Sequence, residues 1–273
     1  MQRPEAAPAR DIAPAKLNLA LHVRGRLPDG RHALETIFAF CTDGDRLSAL
    51  PADALSLTIS GPFGEGLEVE DNLVLKAARA LADVSGCARG AAIHLDKRLP
   101  VASGLGGGSA DAGAALRLLT SLWNIDPDHA VRVAPGLGSD VPACLLSLPM
   151  RGEGAGDQLR PFDLSDLGGM PVLIVNPLVG LSTAAVFARW DGVDRGPLDG
   201  WRDGRNDLQA PAVALVPEIA DVLDWLAACE GATFTRMSGS GASCFALFDS
   251  EEARDLAAAS VPEAWWHLTT NLR

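Results

Sequence analysis

The stretch PVASGLGGGSADAGAALRLL, residues 100–119, decides how this sequence folds and what it can bind. Four glycines fall within residues 104–108, and an apolar run with helical spacing follows them, which predicts a helix from about Ser109 to Trp123. The first backbone N–H groups of a helix lack partners inside the helix, and aligned peptide dipoles add about half a positive charge there. Glycines let a phosphate approach such amides without a Cβ in the way. The stretch therefore predicts a phosphate-binding loop.

The loop does not match either of the two best-known nucleotide motifs. No lysine follows the last glycine, as a P-loop requires, and Ser109 stands where the last glycine of Gly-x-Gly-x-x-Gly would stand. A tight connection with close helix packing is the other interpretation. Taken alone, the loop supports phosphate binding and nothing more specific.

Composition limits the classes of ligand. The chain has 273 residues, a length that suits one large domain or two ordinary ones. Of these residues 48% are hydrophobic and 21% charged, the ordinary balance of a globular protein with a core. Its net charge of −12 opposes binding to the phosphate backbone of nucleic acids. The longest apolar stretch, residues 170–187, is interrupted by Pro171, Asn176 and Pro177, so no membrane span is expected. Because the whole chain is negatively charged, an anionic ligand must be bound by a local feature such as a helix N-terminus, a lysine or a metal ion.

Cysteine usage predicts a cytoplasmic protein with reduced thiols. The five cysteines are scattered, odd in number and never spaced as Cys-x-x-Cys, and the five histidines show no metal-ligand spacing. The first twelve residues lack the apolar core of a secretory signal and are expected to form a loose tail.

The pattern along the chain predicts an α+β protein. Residues 13–23 alternate as a half-buried strand, with Lys16 and Asn18 side by side on its polar face. Predicted strands and helices interleave without a strict βαβ repeat, which favours α+β over a doubly wound sheet. The glycine-rich stretch 151–169 is the candidate domain boundary.

Two further segments are rich in small residues. GLGSDVPACL, residues 136–145, places Asp140 before a Val-Pro pair, so this aspartate taken alone is best explained as a helix cap. MSGSGASCFALF, residues 237–248, runs from a small-residue loop into a strand, and a hairpin turn explains it equally well. Neither segment identifies a function by itself.

Taken together and in order, PAKLNLAL (14–21), PVASGLGGGSADA (100–112) and MSGSGAS (237–243) resemble the GHMP kinase superfamily of small-molecule kinases. The resemblance covers nearly the whole chain. It implies a ribosomal protein S5 domain 2-like N-terminal domain at residues 1–155 and a ferredoxin-like C-terminal domain at 156–273. It also implies an active site in the cleft between the domains, and the last strand is a candidate to return to the first domain.

Four more segments narrow the resemblance: DGRH (29–32), DNLV (71–74), LGSDVPACL (137–145) and RNDLQ (205–209). They are most similar to the branch that phosphorylates the 2-hydroxyl of a CDP-linked methylerythritol in non-mevalonate isoprenoid precursor synthesis. The resemblance implies ATP as co-substrate, Mg²⁺ and this small-molecule alcohol as the partner, with no nucleic acid, membrane or obligate protein partner. The alternatives are another GHMP kinase, acting on mevalonate, homoserine or a sugar, and a nucleotide-binding regulator without turnover.

The resemblance also assigns roles to residues. Lys16 and Asp140 would be the catalytic pair, Asn18 would touch the methylerythritol end, His32 would hydrogen-bond the cytosine, and Phe187 would stack on it. The residues implied to bind ATP are Pro100, Val101, Ala102, Ser103, Gly104, Leu105, Gly106, Gly107, Gly108, Ser109 and Ala110, with Asn72 and Lys97 near the nucleoside. The C-terminal glycine loop is formed by Ser238, Gly239, Ser240 and Gly241, and Ser109 is the candidate Mg²⁺ ligand.

One position departs from the family pattern. The family commonly has tyrosine where this chain has Arg31, and that tyrosine would stack on the cytosine opposite Phe187. Arg31 either stacks its flat guanidinium on the base instead or points into solvent.

Overall fold

A computed structural model describes residues 7–273. Within these residues the strands are β1 (Ala9–Arg26), β2 (His32–Ala52), β3 (Leu55–Ser60), β4 (Gly90–Asp96), β5 (Met150–Glu153), β6 (Gln158–Pro161), β7 (Pro171–Asn176), β8 (Ala232–Met237), β9 (Cys244–Phe248) and β10 (Trp266–Asn271). The helices are α1 (Leu73–Ser85), α2 (Gly107–Trp123), α3 (Asp128–Leu137), α4 (Val141–Leu146), α5 (Thr183–Ala188), α6 (Gln209–Val213), α7 (Glu218–Ala228) and α8 (Glu251–Ala258). This mixture of elements confirms the α+β prediction.

The chain forms two compact units, each built from several segments. Unit 1 consists of residues up to Pro14, Gly44–Leu99 and Gly107–Leu146. Unit 2 consists of Ala15–Asp43, Pro100–Gly106 and Ser147–Arg273. The long strands β1 and β2 therefore contribute residues to both units.

Unit 1 combines a group of strands with four helices. β3 lies parallel to β4, and β4 pairs antiparallel with the second half of β2. Helix α1 packs against α2, α3 and β3, and α2 packs against α4. The start of α1 is fixed by Asn72, whose side chain accepts a hydrogen bond from the backbone N–H of Val74 at 2.9 Å. The largest buried side chains of this unit are Leu47, Leu81, Ile93, Leu95 and Trp123.

Unit 2 contains a four-stranded antiparallel sheet in the order β10-β7-β9-β8. Helices α5 to α7 connect β7 to β8, and α8 connects β9 to β10, so the chain order is βαββαβ. This order and connectivity confirm the predicted ferredoxin-like C-terminal fold. The five residues of β9 are all buried, because α7 and α8 both pack against this strand.

The first half of β2 belongs to unit 2, where residues Thr36–Phe38 pair with β5, and β5 pairs with β6. A Pro-Asp-Gly turn joins β1 to β2, with the Leu27 N–H donating to the Arg31 carbonyl at 2.8 Å. The last strand β10 pairs with β7, and the following residue Leu272 forms a bridge with Cys41 of β2.

The N-terminal part of the chain differs from its prediction. β1 begins at Ala9, so residues 9–12 form a strand rather than the expected tail, while residues 1–6 lie outside the described residues. The strand was expected to be half buried, but every residue from Ala13 to Val23 is buried. The predicted domain border at 155/156 stays a prediction. In residues 7–273 none of the helices combines the length and apolar character that a membrane crossing requires.

Candidate active site

The polar side of β1 carries the predicted catalytic lysine in a buried position. Lys16 is 4% exposed and Asn18 is 2% exposed. The Lys16 ammonium donates to Asn18 Oδ1 at 2.7 Å, and Asn18 Nδ2 donates to Thr36 Oγ1 at 2.7 Å. The ammonium also lies 5.2 Å from the ring centre of Phe38, within cation–π range. Two residues of β2 thus help to fix the position of the Lys16 ammonium.

The first part of the predicted phosphate loop, residues 100–106, is hydrogen-bonded to this strand. The backbone N–H of Lys16 donates to the Leu105 carbonyl at 2.9 Å. The Asn18 N–H donates to Ser238 Oγ at 3.2 Å, and Ser238 Oγ donates to the Gly104 carbonyl at 2.9 Å. β1, the phosphate loop and the C-terminal glycine loop therefore meet at one place in unit 2.

Gly104 is where the two glycine loops approach most closely. Its φ is +80°, and a Cβ built on it would lie 2.3 Å from the Ser238 carbonyl oxygen. A second contact joins the loops, because the Ser243 N–H donates to the Ser103 carbonyl at 3.0 Å. Only glycine fits at position 104, since a side chain would separate the loops.

Asn206, from the RNDLQ segment, anchors the C-terminal glycine loop. Its Nδ2 donates to the carbonyls of Met237 and Gly239, each at 2.8 Å, and its Oδ1 accepts from the Leu208 N–H at 3.0 Å. The side chain is 7% exposed and all its polar atoms are used. The sequence marked the segment but gave Asn206 no role.

The predicted base-binding residues also lie together in unit 2. The imidazole of His32 stacks on Phe187 with ring centres 4.5 Å apart and an interplanar angle of 25°. Trp190 meets the same imidazole edge-on at 5.7 Å. Burial, with a smaller contribution from the charge of Arg26, lowers the pKa of His32, so the ring is neutral at pH 7.

Two polar atoms in this aromatic group are unsatisfied. Among residues 7–273, His32 Nε2 and Trp190 Nε1 are both buried without a hydrogen-bond partner. Each such atom costs about 1–3 kcal/mol of stability. Trp190 was not identified from the sequence.

Arg31 takes the second of its two expected positions. Its guanidinium pairs with Asp29 at 2.8 Å and with Asp157 at 3.2 Å, and the side chain is 54% exposed. It therefore points to the surface and does not stack on a ring in the described structure. The aromatic surfaces around His32 come instead from Phe187 and Trp190.

The second part of the phosphate loop, residues 107–110, forms the first turn of α2 in unit 1. Behind it lies a buried ionic cluster: Lys97 Nζ donates to Asp45 Oδ2 at 2.5 Å and to Asp111 Oδ2 at 2.6 Å. Burial would lower the pKa of Lys97, but the charges of Asp111 and Asp45 outweigh burial and raise it. A Cβ on Gly107 would lie 3.0 Å from Lys97 Nζ, so the cluster and the helix start are in contact.

The remaining predicted residues of unit 1 have simple local environments. Asn72 caps α1, and Ser109 lies partly exposed in the first turn of α2. Asp140 is partly buried and directly precedes α4, where its carbonyl accepts from the Cys144 N–H at 3.0 Å. Lys97 is buried between carboxylates, and its expected place near the nucleoside of ATP stays a prediction.

Comparison with known families gives two matches along the chain. The model described as the GHMP kinases N terminal domain matches residues 72–147. The model described as the GHMP kinases C terminal matches residues 192–266. Together the two models match more than half of the chain.

Curated relatives and solved structures agree with these matches. The chain is 51% identical to the 4-diphosphocytidyl-2-C-methyl-D-erythritol kinase of Rhizorhabdus wittichii, over 96% of this chain and 94% of that protein. It is also 51% identical to the kinase of that name from Novosphingobium aromaticivorans, over 97% and 93%. A crystal structure of 4-(cytidine 5'-diphospho)-2C-methyl-D-erythritol kinase superposes with a TM-score of 0.83 at 32% identity, covering 96% of this chain and 98% of that one. Homoserine kinase from Cytophaga hutchinsonii shares the fold, with a TM-score of 0.72 at 18% identity, over 100% and 96% of the two chains.

Proposed function

Since this chain belongs to the GHMP kinase family, we propose that it transfers the γ-phosphoryl group of ATP to the 2-hydroxyl of 4-diphosphocytidyl-2-C-methyl-D-erythritol. The products are the 2-phosphate and ADP. The chain is an ATP-dependent small-molecule kinase, and the acceptor is the one named for its half-identical relatives. The reaction belongs to non-mevalonate isoprenoid precursor synthesis, and a cytoplasmic location remains the expectation from the scattered cysteines.

One observation carries the proposal. The three segments that support the family resemblance, which lie far apart in the sequence, are joined by hydrogen bonds in unit 2. Lys16 of β1 binds Leu105 of the phosphate loop, and Ser238 of the C-terminal glycine loop binds Gly104. A kinase needs this kind of convergence, because phosphoryl transfer depends mainly on positioning and charge stabilisation.

In the proposed reaction, the residues of the site divide the work of positioning, proton transfer and charge stabilisation. Asp140 orients the tertiary 2-hydroxyl or accepts its proton, and a general base contributes about 10²–10⁴-fold to rate. Lys16 stabilises negative charge on the moving phosphoryl group. Residues 100–110 hold the phosphates through backbone N–H groups. His32 and Phe187 bind the cytosine, while Asn18 contacts the methylerythritol end and aligns the Lys16 ammonium.

Mg²⁺ would neutralise negative charge on the phosphates of ATP, and the Ser109 hydroxyl would help to hold it. Mg²⁺ in kinases is held mostly by substrate phosphates and water, with only one or two protein ligands. The partly exposed Ser109 hydroxyl, in the first turn of α2, fits that requirement. Ser109 would supply one protein oxygen ligand to the metal.

A coupled assay for ADP tests the proposal directly. The purified protein is incubated with ATP and Mg²⁺ and with the CDP-linked alcohol, mevalonate or homoserine in separate reactions. ADP release only with the CDP-linked alcohol supports the proposal. ADP release with mevalonate or homoserine instead would mean that this alcohol, and not the CDP-linked one, is the acceptor. If ADP release does not exceed the acceptor-free control with any of the three, the protein does not phosphorylate these alcohols.

We expect Asp140→Asn to lower kcat by at least about 10²-fold, because the amide cannot accept the hydroxyl proton. The affinity for ATP should stay within about twofold of the parent, measured by calorimetry without the acceptor. Asp128→Asn, an exposed aspartate at the start of α3, is the matched control and should leave kcat unchanged. If Asp140→Asn keeps most of its rate, the role given to Asp140 is wrong.

A further inference from the structure

We propose that Thr36 is a positioning residue of the kinase: its hydroxyl fixes the orientation of the Asn18 side-chain amide, and this amide holds the Lys16 ammonium in place for phosphoryl transfer. The inference rests on the proposed function, because it takes Lys16 as the group that stabilises the moving phosphoryl group. It assigns a role to a residue of β2 that lies outside every motif found in the sequence.

Three hydrogen bonds connect Thr36 to the ammonium within unit 2. Thr36 Oγ1 donates to the Ala20 carbonyl at 2.7 Å, and Asn18 Nδ2 donates to Thr36 Oγ1 at 2.7 Å. The Lys16 ammonium donates to Asn18 Oδ1, again at 2.7 Å. Thr36, Asn18 and Lys16 are 1%, 2% and 4% exposed, so bulk water does not compete for these bonds.

The direction of the chain of hydrogen bonds is set at Thr36. A backbone carbonyl can only accept, so the single hydroxyl proton of Thr36 goes to Ala20. Towards Asn18 the hydroxyl then offers a lone pair, which suits the amide nitrogen and not the amide oxygen. The opposite amide orientation would turn N–H groups towards an ammonium that can only donate, and Thr36 would lose its bond to Ala20.

The direction of the Thr36 hydroxyl is itself fixed by packing. The Thr36 methyl group faces β5, where a Cβ built on Gly152 would lie 3.2 Å from Thr36 Cγ2. Because χ1 of a β-branched side chain is restricted, a methyl group held against β5 leaves the hydroxyl directed at β1. The small residue at position 152 therefore supports the orientation that Asn18 needs.

The position of the ammonium matters because phosphoryl transfer depends on alignment and charge stabilisation. The ring of Phe38 also attracts the ammonium, from 5.2 Å, but a ring face holds a cation less closely than an amide oxygen at 2.7 Å. Without the Thr36 hydroxyl, the buried Asn18 Nδ2 loses its acceptor, and the amide no longer holds the ammonium in a single position.

Thr36→Val tests the inference, because it keeps the shape of the side chain and removes the hydroxyl. The rate of a single turnover, kcat and the KM values for ATP and the CDP-linked alcohol are measured below the unfolding temperature of each variant. We expect Thr36→Val to lower kcat and the single-turnover rate by about 10–100-fold, as a displacement of a reacting group by about 1 Å does. The KM for ATP should stay within about twofold of the parent, because residues 100–110 hold the phosphates. Thr36→Ser restores the hydroxyl and should recover most of the rate.

A double substitution separates this role from a general loss of stability. If Thr36 acts through Asn18, Thr36→Val added to Asn18→Ala should lower kcat by no more than about twofold beyond Asn18→Ala alone. If the two residues act independently, the two losses in rate should multiply instead.

Thr270→Val is the matched control. Thr270 of β10 is 3% exposed, and its hydroxyl donates to Asp43 Oδ2 at 2.9 Å and accepts from the Asp43 N–H at 3.2 Å. The control also removes a buried, hydrogen-bonded hydroxyl, so it should lose stability but keep the parental kcat.

If Thr36→Val does not fold, Thr36→Ala removes the same hydroxyl from a smaller side chain and should show the same loss in rate. A folded variant with the parental kcat, or losses that multiply in the double substitution, overturns the role of Thr36 and leaves the proposed function intact. A parent protein that releases no ADP with any of the alcohols overturns the proposed function, and the role of Thr36 with it.

Discussion

At the scale of single residues, Asn206 shows how one side chain can hold a loop. Both of its amide hydrogens are donated to carbonyls of the C-terminal glycine loop, at Met237 and Gly239. We expect Asn206→Asp to lower the free energy of unfolding by about 2–4 kcal/mol, because two hydrogen bonds are lost and a buried carboxylate then faces two carbonyl oxygens. Chemical denaturation measures the change.

The same substitution should also lower kcat, since the glycine loop that Asn206 holds meets the phosphate loop at Gly104. Asn124→Asp, an exposed asparagine after α2, makes the same chemical change without buried partners and should leave stability within about 0.5 kcal/mol. Parental stability and kcat in Asn206→Asp would show that the loop keeps its position without this amide.

What the sequence could reveal about the site depended on how each residue is held. Lys16 and Asn18 were identifiable because strand alternation puts them on one face. Trp190 and Asp45 were not, since their importance comes from partners distant in sequence: His32 for the first and Lys97 for the second. No local pattern records such contacts.

At the scale of elements, the crossing of α2 and α4 depends on one glycine. A Cβ on Gly113 would lie 2.7 Å from the carbonyl carbon of Cys144 and 2.8 Å from the Leu145 nitrogen. Glycine to alanine in an open helix stabilises by about 1 kcal/mol. Here the clash is with backbone, which cannot rotate away, so we expect Gly113→Ala to destabilise by about 1–3 kcal/mol.

The free energy of unfolding of Gly113→Ala is compared with that of Gly136→Ala. Gly136 lies in α3, and apart from its chain neighbours and its own helix backbone no atom lies within 4 Å of its built Cβ, so alanine there should be neutral or slightly stabilising. If the two substitutions change the free energy of unfolding equally, α4 can move away from α2 without loss of stability, and the crossing is not as tight as expected.

Elements with a clear period were predictable, and the others were not. The alternating strand predicted at residues 13–23 and the helix predicted from about Ser109 to Trp123 agree with β1 and α2 to within a few residues. Strand β2 was not predicted. Residues Ile37–Cys41 are all buried and show no alternation, and the sequence Asp43-Gly44-Asp45 is typical of a turn. Strands β5 and β6 have only four residues each, which is too short for a period to appear.

At the scale of the whole molecule, the local sequence pattern reveals even less about how distant segments assemble. Each compact unit is assembled from three separate segments, which no local sequence pattern reveals, and the predicted border at 155/156 stays a prediction. The strand order β10-β7-β9-β8 also depends on contacts between distant residues. The family resemblance supplied the ferredoxin-like fold of the C-terminal sheet, because three motifs in a fixed order constrain the chain over its full length.

The stability of the whole molecule should depend on pH through one buried cluster. Burial raises the pKa of Asp111 to about 7, from an ordinary value of 3.8, and the charge of Asp45 adds to the effect while Lys97 opposes it. Between about pH 4 and 7 the folded protein keeps a proton that the unfolded chain has released. The free energy of unfolding therefore falls as pH rises in this range, by at most about 1.4 kcal/mol per pH unit.

Two histidines act in the opposite direction, so the comparison must isolate Asp111. Burial lowers the pKa of His22 and of His32, which makes stability rise with pH through the region below about 6.5. We therefore expect the free energy of unfolding of the parent to fall, relative to that of Asp111→Asn, between pH 5 and pH 7. Only the parent has an Asp111 proton whose stabilising effect is lost as the pH rises. Denaturation at several pH values measures this difference, with Asp83→Asn, an exposed carboxylate on α1, as the control that should show no such shift. A constant difference between parent and Asp111→Asn would mean that Asp111 is ionised throughout and that Lys97 neutralises it fully.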